Sequence, residues 1–94
     1  MATIGVLTLE LEIQHSRSLK DKRQVVRSLK DRLRSKFNVA AAEIDGQDSW
    51  QRAVIGVVTL AGERDHVQRV LQQVEREAAN LLGADLVGTE LEYY

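Results

Sequence analysis

The stretch Ile4-Gly5-Val6-Leu7-Thr8-Leu9-Glu10-Leu11-Glu12-Ile13-Gln14 decides the fold class of this 94-residue chain. Leu7, Leu9, Leu11 and Ile13 alternate with Thr8, Glu10, Glu12 and Gln14. A period of two places the apolar set on one face of a half-buried β-strand and the polar set on the other. Directly after it, Ser18 followed three residues later by Asp21 forms a capping box, with aspartate in the usual glutamate position, so a helix is predicted to start near Leu19. Val25, Val26, Leu29, Leu33 and Phe37 then recur at helical spacing.

The remaining pattern extends this opening. Residues 38–45 read as a short second strand of small residues around Val39-Ala40-Ala41-Ala42. Asp45-Gly46 with Gln47-Asp48-Ser49 reads as a turn, and residues 51–60 as a third strand interrupted by Gly56. Val67, Val70, Leu71, Val74, Ala78 and Leu81 mark a second amphipathic helix that Gly83 is placed to end. Residues 85–93 alternate again, Val87, Thr89, Leu91 and Tyr93 against Glu90 and Glu92. The order βαββαβ predicts an α+β ferredoxin-like sandwich. Two interleaved βαβ halves make one four-stranded antiparallel sheet, with strands one and three central and both helices on one face. Another α+β sandwich with a different strand order is the alternative. The length allows a single domain over residues 1–94.

Composition narrows the function classes. An apolar fraction of 44% and a charged fraction of 29% are those of an ordinary globular domain. With no cysteine, disulfides and thiolate metal sites are excluded. No apolar run approaches the length of a membrane span. Met1-Ala2-Thr3-Ile4 has no basic region before its apolar stretch, so no signal peptide and a cytoplasmic location are expected. His15 and His66 have no cysteine, histidine or paired-acid context, so no metal and no cofactor are expected. There is no P-loop, nucleophile elbow or phosphate cradle, and the expectation is that the chain is not an enzyme. Acylphosphatases share the topology, but the Gly-rich loop and arginine that follow their first strand are missing here.

The formal net charge of −1 conceals a segregation. From Arg17 to Lys36 there are nine basic residues against Asp21 and Asp31, a balance of +7, whereas the rest of the chain has four basic and twelve acidic residues, a balance of −8. On a helical projection of about 100° per residue, Lys20, Arg23, Arg27, Lys30 and Arg34 share an arc of about 80°, beside the apolar arc of Val26, Leu29, Leu33 and Phe37. From residue 20 to 34 the stripe runs for about 21 Å, enough to follow several phosphates. These five are the candidate anion- or RNA-binding residues. A solvated helix face that serves solubility is the other reading. Against it, cations three and four residues apart repel, and a purely solvating face would intersperse glutamates.

RNA-binding sheets of this topology stack bases on aromatic residues of the central strands. Here those positions are Thr8, Glu10 and Glu12, then Val54, Gly56 and Val58, which disfavours that mode. Val6, Val54 and Val58 instead predict a small apolar patch and a homodimer across the sheet face, edge pairing through strand two or four being the alternative geometry. Trp50 is expected to cap the end of a small core, an interface anchor being its other reading. Arg52 is expected to pair across strands with Glu12.

The segment Ser18-Leu19-Lys20-Asp21-Lys22-Arg23, continued by Val25-Val26-Arg27-Ser28-Leu29-Lys30-Asp31-Arg32-Leu33, resembles the opening motif of the YlxP-like family of small bacterial proteins of unknown function. Lys36-Phe37-Asn38-Val39, Ala42-Glu43 and Trp50-Gln51-Arg52-Ala53 continue that family's pattern in order, while Gln14-His15-Ser16-Arg17 stand where it usually has a proline-containing loop. The resemblance implies a ferredoxin-like fold, and a gene commonly placed beside translation-initiation and ribosome-maturation genes. It implies no catalytic residues. The expected partner is therefore RNA or a ribosomal particle, against the alternative of an oligomeric or small-ligand regulatory module.

Overall fold

Thr3–Glu12 extend as β1, and the alternation of that stretch becomes the centre of the molecule. The computed structural model describes all residues from Met1 to Tyr94. α1 (Leu19–Lys36), β2 (Ala40–Asp45), β3 (Arg52–Ala61), α2 (Arg64–Leu82) and β4 (Leu86–Tyr93) follow, a 3₁₀ turn at Gly83–Asp85 linking α2 to β4. All strand pairs are antiparallel in the order β2-β3-β1-β4, so β1 and β3 are central as expected. This is the ferredoxin-like βαββαβ sandwich.

One core lies between the sheet and the helices. Leu7, Leu9, Leu11, Ile13, Val26, Leu29, Leu33, Ile55, Val57, Val67, Leu71 and Val74 are all buried in it. Val70, expected among them, is half-buried and packs against its border, and Leu81 is exposed. α2 crosses β1 closely at Gly5: a Cβ there would stand 2.5 Å from Val67 and 2.7 Å from Leu71.

Two bulges account for misplaced side chains. β4 carries one extra residue opposite Glu10 and Leu11 of β1, which pair with Gly88 and Leu86, and this leaves Val87 exposed rather than inward. In β2 the register slips between Glu43 and Asp45, and Ile44 lies out over Gly56. Val54 was expected to be exposed beside Val6 and Val58. It is only 7% exposed, because on central β3 it is flanked by Glu10 of β1 and Asp45 of β2. Trp50 does not cap the core: it is 60% exposed, and its backbone carbonyl, not its ring, is tied inward by the Ser16 hydroxyl at 2.6 Å.

Candidate anion-binding flank of the first helix

α1 starts where the capping box requires. The Ser18 hydroxyl accepts from the Asp21 amide at 3.0 Å, and the Asp21 carboxylate accepts from the Arg17 amide at 3.1 Å. At the other end the Phe37 amide reaches the Leu33 carbonyl at 3.0 Å. Arg34 and Lys36 lie in the last turn, where cations complement the helix dipole.

The helix buries the face made by Lys22, Val26, Leu29 and Leu33. Lys22 is 1% exposed. Its ammonium donates to the Glu43 carboxylate at 3.0 Å and lies within 2.6–3.4 Å of the carbonyls of Gly46, Arg52 and Gln47. It thereby ties α1 to the β2–β3 turn, where Gly46 holds φ +84 and a Cβ would stand 2.8 Å from the Arg52 carbonyl. Charge counting hid this role, since Lys22 is one of nine cations. The signal was present in the projection, where Lys22 falls inside the apolar arc between Leu29 and Val26.

One flank of α1 faces α2. There Arg32 and Lys36 share Glu77 at 3.0 Å and 2.7 Å. The Lys36 hydrogen bond, helped by Arg32, holds the Glu77 carboxyl below the usual carboxylate range against a smaller opposing effect of desolvation.

The other flank carries the stripe and borders the free edge of β2. Lys20, Arg23 and Arg27 are exposed and Lys30 is half-buried. None of the four forms an ion pair. Arg34 differs from expectation. Its guanidinium donates to the Ala41 carbonyl on the β2 edge and approaches Asp31 at 3.8 Å, so its fork is already engaged. The eight cations of α1 thus divide evenly: Lys22, Arg32, Arg34 and Lys36 are tied internally, while Lys20, Arg23, Arg27 and Lys30 stand free along one side.

The open sheet face is different in character. Val6 and Val58 are half-buried cross-strand partners. Thr8, Glu10 and Glu12 share this face. Glu12 stands opposite Arg52 in register, yet the Arg52 guanidinium turns to Asp45 at 3.6 Å instead of forming the expected pair. His15, in the β1–α1 loop, has its Nδ1 3.9 Å from the Asp85 carboxylate. No helix is long and apolar enough to cross a membrane.

Fold and surface define a ferredoxin-like domain with a free cationic helix flank. Residues 4–91 match the family described as "Protein of unknown function (DUF503)", and the chain belongs to that family. It is 38% identical over 71 residues to the uncharacterized protein YlxP of Bacillus subtilis (strain 168), covering 76% of this chain and 77% of that protein. Among solved structures, the de novo designed protein Foldit4 superposes with a TM-score of 0.62 at 9% identity, over 100% of this chain and 97% of that one. A dimeric ferredoxin-like protein of unknown function from Thermobifida fusca YX superposes with a TM-score of 0.52 at 16% identity, over 97% and 90%. These two similarities establish the shared fold.

Proposed function

We propose that this chain is a non-enzymatic accessory protein that contacts RNA or a ribonucleoprotein through the β2-side flank of α1. The observation that carries the reading is the division of the α1 cations. Half are consumed by internal partners, whereas Lys20, Arg23, Arg27 and Lys30 are aligned with no acid paired to them, although spacings of three and four residues make them repel by a few tenths of a kcal/mol per pair. An anionic polymer laid along the flank relieves that repulsion. Arg23 and Arg27 offer planar two-pronged donors to phosphate, and the lysines offer point charges. Such contacts hold a backbone without reading bases, so affinity is micromolar or weaker and indifferent to sequence. The gene setting implied by the family resemblance agrees with this partner.

The test replaces Lys20, Arg23 and Arg27 with glutamine and measures filter binding to ribosomal and transfer RNA. Arg34 is left in place because its bond to Ala41 mixes binding with folding. Binding to both RNAs falls together. Equal binding by parent and variant at low salt makes the flank a solvated face.

A small-ligand module is the second reading, and one observation favours it. An open groove of about 810 Å³ runs between the helices, lined by Gln24, Ser28, Arg32 and Leu81 among others. Ligand uptake there is insensitive to the glutamine substitutions, which lie on the opposite flank.

A further inference from the structure

We infer that the open face of the sheet is a docking surface for a cationic amphipathic helix of a partner protein. Both helices of this chain cover the other face, and this one is left bare. Leu60 is 63% exposed, Ile44 55% and Ile4 39%. Ile4 stands opposite Leu60, and Val6 opposite Val58, so these four form two short adjacent columns on β1 and β3, with Ile44 of β2 beside them over Gly56. Exposed apolar area of this kind on a small domain marks an interaction site.

The charges beside the columns select the occupant. Glu10 and Glu12 on β1 and Glu90 and Glu92 on β4 share the face, and none forms an ion pair. Thr8 pairs with Glu90 and Glu10 with Gly88, so Glu10 and Glu90 are diagonal neighbours and the four carboxylates form one slanting line across two strands. Their field is felt locally, since Glu92, which accepts the Tyr94 hydroxyl at 3.1 Å, pushes that phenol above its usual range. The face's own cation, Arg52, is turned to Asp45, so a second copy would bring these carboxylates little free positive charge, and nucleic acid would be repelled. A partner both apolar and cationic matches the two features together.

The dimensions fit a helix. Neighbouring strands are about 4.8 Å apart, so a helix about 10 Å wide covers the β1 and β3 columns and brings one flank over Glu90 and Glu92. From Leu60 to Val54 β3 runs for about 20 Å, the length of about 14 helical residues, with Leu60 and Val58 presenting apolar surface at one end and Val54 buried at the other.

The probe is a fluorescein-labelled peptide of that length, leucine at helix-face spacing and lysine elsewhere. Two matched peptides carry glutamate for lysine, or serine for leucine. Anisotropy is expected to show the leucine–lysine peptide binding at least tenfold more tightly than either control. Leu60→Ser and the pair Glu90→Gln with Glu92→Gln, each with the parent's far-UV circular dichroism, should each weaken it tenfold or more. Amide shifts in NMR spectra should concentrate on β1, β3 and β4. The Lys20, Arg23 and Arg27 glutamine variant should bind the peptide like the parent, which separates this surface from the RNA-binding flank. Equal binding by either control peptide, or shifts spread over the helices, overturns the inference. So does a sedimentation mass of twice 10.6 kDa that Leu60→Ser returns to the monomer value, because a second copy then covers the face.

Discussion

Replacing Lys22 with methionine tests the least conspicuous part of this fold. Methionine keeps most of the buried apolar stem and removes only the ammonium. That ammonium serves the Glu43 carboxylate at 3.0 Å and the carbonyls of Gly46 and Arg52 at 2.6 and 3.2 Å, and the residue is 1% exposed. Glu43, 16% exposed, then loses its counter-charge. Breaking a buried pair by removing one partner costs about 3–5 kcal/mol, most of it the penalty of the groups left behind. Each orphaned carbonyl that water cannot reach adds to the upper end of that range. For a domain of this size with a urea m-value of roughly 1.5–2 kcal/mol/M, the midpoint should fall by about 1.5–3 M. Glu43→Gln, which keeps an acceptor but no charge, should cost less, about 1.5–3 kcal/mol. Lys20→Met, two residues away and exposed, should stay within about 0.5 kcal/mol of the parent. Urea titrations followed by far-UV circular dichroism give all three numbers. If Lys22→Met unfolds with the midpoint of Lys20→Met, the ammonium is no staple and the link drawn between α1 and the β2–β3 turn is wrong.

Two further outcomes follow from the packing and the ion pairs. Leu29→Ala, at a site 2% exposed, should cost about 2–5 kcal/mol by the same titration, and a loss below 1 kcal/mol would contradict a close-packed interface between α1 and the sheet. The Glu77 carboxyl should titrate below the usual carboxylate range in a carbon-detected NMR experiment, and Lys36→Met should move its midpoint upward. Its folded pKa is depressed, so its contribution to stability is present above the unfolded value and is lost as pH falls through the folded one. An unchanged midpoint in Lys36→Met means that the 2.7 Å pair does not persist in solution.

Legibility differed between the elements for physical reasons. Strong alternation in β1 and clear helical spacing in α1 and α2 identified the elements and nearly all of the core, because each pattern matches the repeat of one secondary structure. Val54 and Val87 went astray because periodicity assigns a face but takes no account of flanking neighbours or of bulges, and a bulge moves one side chain out of phase. Trp50 reversed its expected role because its backbone, through Ser16, does the anchoring. On α1 the stripe of five was legible as charge, but which cations were already consumed was not. Arg34 is engaged by a carbonyl of β2, and Lys22 by a turn more than twenty residues away in sequence. Both partners lie on other elements, so no periodicity within α1 names them, although the projection does place Lys22 inside the apolar arc.

The salt dependence of ribosomal RNA binding bears most directly on the proposed role of the α1 flank. Phosphate contacts release counterions, so the logarithm of the binding constant falls linearly with the logarithm of salt, by about 0.7–0.9 per neutralised phosphate. Filter binding of the parent between about 50 and 200 mM salt should give a slope of roughly −3 to −4, one increment for each of Lys20, Arg23, Arg27 and Lys30. The Lys20, Arg23 and Arg27 glutamine variant should retain the parent's urea midpoint while its slope shrinks by two to three units, about one per lost contact. Parent and variant slopes that coincide, or a parent that does not bind even at the lower salt, contradict the assignment of this flank to RNA.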